Sequence, residues 1–284
     1  MNKLPASKRA AIVRALIEGN SVRSTCRITG AAKGTVLKLL AEVGEKCAEY
    51  QRRVFVKLPC QRVQCDEIWS FVGCKERNVP RDEKGQGRGD TWTWTALCAD
   101  TKLIPSWHVG RRDADEAALF MEDLASRLAN RVQLSTDGHK AYLTAVEGTF
   151  GWNGVDYAML VKIYGGPITG EATGRYSAPE CIGAEKHSIM GEPDPKHIST
   201  SFVESSNLTI RMRNRRMTRL TNGYSKKLEN HIHAVSLFMM AYNFVHTHHT
   251  LTKAANGVHT TPAMAAGVTD RVWKVEDVVA LLGA

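Results

Sequence analysis

The sequence predicts an α/β fold, a mixed-sheet domain preceded by an all-α N-terminal segment. Three observations carry this. Apolar residues in the first fifty positions recur at helical spacing. The stretch after residue 60 alternates in the manner of strands and then of helices, in the order β-β-β-α-β-α-β. With 284 residues, 43% of them hydrophobic, the chain can bury a real core as one large or two modest domains.

Ile12, Val13, Leu16 and Ile17 share a helical face that ends at Gly19-Asn20. Ser21 suits the cap of a second, short helix, which Gly30 stops. A third helix carries Val36, Leu39, Leu40 and Val43 on one face. Helix, short helix, turn, helix is the order of a helix-turn-helix, expected to form a DNA-binding domain over residues 1–50. Its third helix would present Lys33, Thr35 and Lys38 to base edges and phosphates. A plain helical cap with a solvated basic face has the same pattern. Residues 51–60 read as a linker ending near Pro59.

A mixed-sheet domain is expected over residues 61–250. Residues 61–72 form its first strand. In TWTWTALCAD, Thr91, Thr93 and Thr95 fall on one face and Trp92, Trp94 and Ala96 on the other. LIPSWHVG is a third strand, and Pro105 marks it as an edge. Asp113 caps a helix carrying Ala117, Phe120 and Leu124. VQLST is a fourth strand closed by Asp137-Gly138; a short helix and the strand YAMLVKIY follow. Residues 165–200 read as a long insertion loop, a length usual only where a loop has a function. SFVESSNLTIRMRNRRM and residues 225–246 read as helices; the apolar surplus of the second makes it, with the loop, a candidate assembly contact. Residues 251–284 form a tail of short helices, with Thr261 and Pro262 opening one of them.

Three acids stand out by position. Asp66 lies mid-strand in RVQCDEIWSFVG, Asp137 ends the fourth strand, and Glu204 sits early on a helix. In open sheets, sites gather at the carboxyl ends of strands. Converging carboxylates repel unless a cation sits between them, and hard divalent ions favour oxygen ligands. A pair of such ions clamps an in-line phosphoryl displacement. Glu67 competes with Asp66, but alternation sends the two to opposite faces. A salt-bridge partner on the strand is the plain alternative for Asp66. Asn207 and Arg211 share the helical face of Glu204 and could steady the site or hold DNA. Arg213, Arg215, Arg216 and Arg219 extend a basic stretch in which residues 211–227 hold seven Lys/Arg and no acid.

The formal charge of +9 points to a polyanionic partner, double-stranded DNA above all. Residues 1–60 add a second basic region, twelve Lys/Arg against four Asp/Glu. No apolar run is long enough for a membrane span, and no secretory signal opens the chain. Seven irregularly spaced cysteines suit free thiols in a reducing cytoplasm rather than a disulfide or zinc framework. His246, His248 and His249 lack a completing acid or cysteine, which argues against a metal site there.

Taken together, QCDEIWSFVG, GDTWTWTALCADTKLIPSW, FMEDLASRLANRVQLSTDGHKAY, DPKHISTSFVESSNLTIRM and RMTRLTNGYSKKLENH resemble the DDE transposases of bacterial insertion sequences, in the group named after insertion sequence one. The resemblance covers nearly the whole chain. It implies a ribonuclease-H-like catalytic domain in which Asp66, Asp137 and Glu204 are the catalytic acids. It further implies Mg²⁺ (or Mn²⁺) in a two-ion site, cleavage of transposon ends, joining of 3′-ends to target DNA, and a dimer or larger assembly on DNA. Ser205 and Ser206 stand where that family often has Arg-Gln. Two other functions remain open: a non-catalytic helix-turn-helix repressor, and a structure-selective nuclease of the same fold.

Overall fold

The structure is a computed structural model that describes residues 4–151, 154–165 and 181–283. The N-terminal helices are α1 (Ala6–Ile17), α2 (Val22–Thr29) and α3 (Lys33–Val54). The local signals act as the sequence implies. Ser21 Oγ accepts from the Ser24 amide at 3.0 Å, and Gly30 closes α2 with a left-handed φ of 64°. However, α3 runs on to Val54, so the first four residues of the expected linker are helical.

Strands β1 (Arg62–Val72), β2 (Gly89–Cys98) and β3 (Ser106–Gly110) form an antiparallel meander. Helix α4 (Ala114–Arg127) starts where Asp113 Oδ1 accepts from the Glu116 amide. Then come β4 (Val132–Asp137), α5 (Ala141–Phe150) and β5 (Val155–Tyr164). A further strand, β6 (Cys181–Met190), lies within the stretch expected to be loop. It pairs antiparallel with β5 and is exposed along most of its length, so its residues carry no apolar alternation to announce it. Residues 166–180 of that expected loop lie outside the described residues.

The result is a mixed α/β architecture around one six-stranded sheet, order β3-β2-β1-β4-β5-β6. β1, β4 and β5 run parallel at its centre. That order is compatible with the ribonuclease-H-like core the resemblance implies. β3 is the edge that Pro105 marked.

Helices α6 (Ser201–Arg213) and α7 (Leu228–Met240) cover one face of the sheet, and α4 and α5 the other. Thr91, Thr93 and Thr95 are buried beneath α6 and α7, while Trp94 packs with Phe120 and Tyr142 on the opposite side. The chain ends in short helices α8 (His249–Ala254), α9 (Pro262–Ala265) and α10 (Val275–Ala280). Thr261 caps α9 as its sequence suggests.

The apolar surplus on α7 has a local explanation. Its far side packs on α3. A Cβ on Gly44 of α3 would lie 2.7 Å from His233 of α7, and Ser236 Oγ donates to the Gly44 carbonyl at 2.6 Å. The N-terminal helices therefore share a continuous core with the sheet. Among the described residues no helix is long and apolar enough to cross a membrane, and the seven cysteines are free thiols.

Candidate active site

The acids meet where the sheet splits. The β1–β4 ladder ends at the Cys65–Thr136 pair, one step before Asp66 and Asp137. Beyond it β1 continues with β2 alone, and the gap opens at the carboxyl end of β4. Oxygens of Asp66, Glu67 and Asp137 lie within 4.8 Å of one another there. Alternation still holds: Asp66 points to the α6 side, Glu67 to the α5 side. Asp137, at the seam, is reached by both. The sequence placed Glu67 outside the site because alternation says nothing about where a ladder stops.

Burial and crowding mark these groups. Burial, then the charge of Asp137, pushes the Asp66 carboxyl up to about 6. The same two causes push Glu67 up to about 7, against the pull of Tyr142 and Arg112. Glu67 has a cationic partner, since Arg112 approaches its Oε2 at 3.1 Å and Asp137 Oδ2 at 3.5 Å. For Asp66, among the described residues, no lysine or arginine is within ion-pair distance. Its brace is an amide. Asn207 Nδ2 donates to Asp66 Oδ2 at 2.7 Å, and Thr95 Oγ1 fixes the amide by donating to Asn207 Oδ1 at 3.2 Å.

Glu204 reaches the same cavity, of ≈ 550 Å³, with Asp66, Asp137, His139 and Lys140. Its carboxylate is held differently. Lys162 Nζ donates to Oε2 and Thr200 Oγ1 to Oε1, each at 2.5 Å. Its charge contributes to raising Asp66. Thus the three expected acids share a cavity, but the tight cluster is Asp66, Glu67 and Asp137. Arg112, Lys162 and Thr200 were not foreseen; each comes from a different element, and only the fold assembles them.

The expected DNA contacts divide. Lys33 and Lys38 are exposed and Thr35 half-buried on α3, with Lys38 3.8 Å from Glu42. Asn207 is buried at 7% exposure and braces Asp66. Arg211 is half-buried beside the acids; burial and Arg219 push it down to about 10, and Asp66 pulls the other way. Arg215 and Arg216 turn toward a cleft lined by Leu16, Ile17 and Phe238, and Arg213 also reaches the opposite side of α6. The arginines do not form one stripe, because α6 ends at Arg213 and a short 3-10 turn follows.

A search of protein-family models finds none that matches this chain, and a search of the curated proteins finds no relative.

Proposed function

We propose that the protein is a DNA transposase, which cleaves phosphodiester bonds at the ends of a mobile element and joins the 3′-ends to target DNA. The observation that carries this is Asp66, a buried acid with an amide brace, crowded by Asp137 and lacking a cationic partner among the described residues. Such a carboxylate is stabilised by a bound cation. The donors are all oxygens, which fits Mg²⁺ or Mn²⁺. Asp66, Asp137 and Glu204 would hold the metal, which when bound activates the attacking oxygen and stabilises the leaving one.

The chain's own groups do the positioning. Asn207 fixes the Asp66 carboxylate, which lines the cavity. Arg211, one helical turn beyond Asn207, would receive a phosphate of the bound strand. Arg112 and Lys162 hold Glu67, Asp137 and Glu204 in place until substrate arrives. Lys33, Thr35 and Lys38 would contact the element's end as a helix-turn-helix. Joining two ends to one target calls for two active sites, and so for a dimer or larger assembly on DNA; mass measurement of the paired-end complex tests it, and one protomer per active complex would exclude it.

The Glu204–Lys162 pair favours a second reading, a DNA-binding repressor whose acids no longer act. The deciding experiment is a strand-transfer assay on DNA carrying the element's ends, with and without Mg²⁺. Metal-dependent cleavage and joining are expected. They should fall by about 10²–10³-fold or more in Asp66→Asn, Asp137→Asn and Glu204→Gln, the order lost when transition-state charge is left unsupported, with end binding retained. Full activity in any of the three variants would remove that acid from the site, and binding without any cleavage would favour the repressor.

A further inference from the structure

A second polar cavity opens on the side of α6 turned away from Glu204. Ser205, Thr209 and Arg213, spaced four apart, line it from the helix. Lys102, from the turn between β2 and β3, and His246 and His248, from the segment after α7, line it from across. Its volume of ≈ 370 Å³ falls within the range of small-ligand sites, about 300–1,000 Å³. Among the described residues no carboxylate lines it.

The lysine here is built in, whereas Arg213 is exposed. Lys102 is 7% exposed and adopts a left-handed φ of 60°. Its Nζ donates to the Ala99 carbonyl and lies 3.2 Å from the centroid of the Phe202 ring. Asp100, whose charge reaches this lysine, is engaged by Arg62 at 3.1 Å. His246 Nε2 and His248 Nδ1 are enclosed with no hydrogen-bond partner among the described residues. A buried lysine, an exposed arginine and two histidines with an unpartnered ring nitrogen line a space that no carboxylate among the described residues reaches.

We infer that this pocket binds a phosphate group. Lys102 and Arg213 would supply the positive charge, and the two imidazoles and the Ser205 hydroxyl would supply hydrogen bonds. The site is separate from the acidic cavity, and an anion would bind here whether or not the acids cut DNA. A nucleic-acid backbone and free phosphate share the required chemistry.

A pH dependence follows. Burial holds both imidazoles below the ordinary histidine range. Arg213 adds to this at His246, with Glu18 opposing; Lys102 and His249 add to it at His248. A bound phosphate would reverse that push, so binding takes up protons and tightens as pH falls.

The test is titration of the full chain with inorganic phosphate, followed by the imidazole NMR resonances, with sodium chloride at matched ionic strength as control. A saturable shift of two imidazoles is expected, tighter at about pH 6 than at about pH 8. Arg213→Gln should weaken binding roughly tenfold, the scale of one charge-assisted hydrogen bond. His248→Asn should also weaken it and flatten the pH dependence. Gel shifts with a DNA duplex identify the source. Competition by phosphate, with the same loss in Arg213→Gln, marks the backbone; an unchanged duplex affinity marks free phosphate. Resonances that move no more than in chloride, or both variants binding phosphate as the wild type does, would overturn the site.

Discussion

The two sides of α6 hold opposite chemistry under similar constraint. On one, Glu204 lines a cavity crowded with acids and Asn207 braces Asp66. On the other, Ser205, Thr209 and Arg213 face a pocket of cations and imidazoles. In both, burial works against the charge: the carboxyls rise and the imidazoles fall. On the acidic side Arg112 and Lys162 pair with Glu67, Asp137 and Glu204, which leaves Asp66 without a cationic partner among the described residues; on the other side no carboxylate among those residues lines the pocket. On the readings proposed above, one side would take a cation and the other a phosphate. The helix between them buries only a thin apolar seam, Val203 and Ile210, with Ser206 and Asn207.

The largest effect separates the acids from one another. Asp66→Asn should abolish metal-dependent cleavage by the factor given above, while Glu67→Gln should cost less than about tenfold, since Arg112 already pairs with Glu67. Parallel cleavage assays decide this. Equal losses would make Glu67 a ligand and Asp66 no longer distinctive.

Stability gives a test independent of activity. Asp66 is raised from 3.8 to about 6 in the fold. A raised acid favours folding fully below its unfolded value and loses that contribution as pH climbs through the folded value. Metal-free protein should therefore weaken between about pH 4 and pH 7, and Mg²⁺ should restore it near neutrality. Asp66→Asn should stabilise the metal-free protein at pH 7 by up to about 3 kcal/mol and remove part of that slope. Denaturant melts measure both; a variant less stable than wild type at neutral pH would show that Asp66 is not strained by its neighbours.

Removing the amide brace should cost somewhat less. Asn207→Ala is expected to lower metal affinity and cleavage by about 10–100-fold without changing DNA binding. Metal titration monitored by cleavage rate checks it. If DNA binding falls instead, the residue serves DNA and not Asp66.

The smallest effect lies outside both cavities. Lys38 is exposed on α3, so Lys38→Ala should weaken DNA binding across sequences and reduce the salt slope by about one. Affinity measured over a salt series resolves this. A larger loss than in Arg213→Gln would place the stronger phosphate contact on the N-terminal helices and not in the pocket beside α6.

What the sequence determined by itself was local. Caps at Ser21, Asp113 and Thr261, the stop at Gly30, the threonine face of β2 and the edge at Pro105 each depend on a few neighbouring residues, and each is found in the structure. Asp66, Asp137 and Glu204 were legible because a charge amid strand residues, at a strand end or at a helix start departs from its local pattern. Contacts between elements distant in the chain were left to the tertiary structure. It decided where the β1–β4 ladder ends, and so that Glu67 joins Asp66 and Asp137. It set Asn207 against Asp66, 141 residues away, and Lys162 against Glu204. It buried α7 on both sides and found a partner for the polar strand β6. Periodicity reports which way a side chain points within its own element, whereas burial and pairing depend on which other element arrives there.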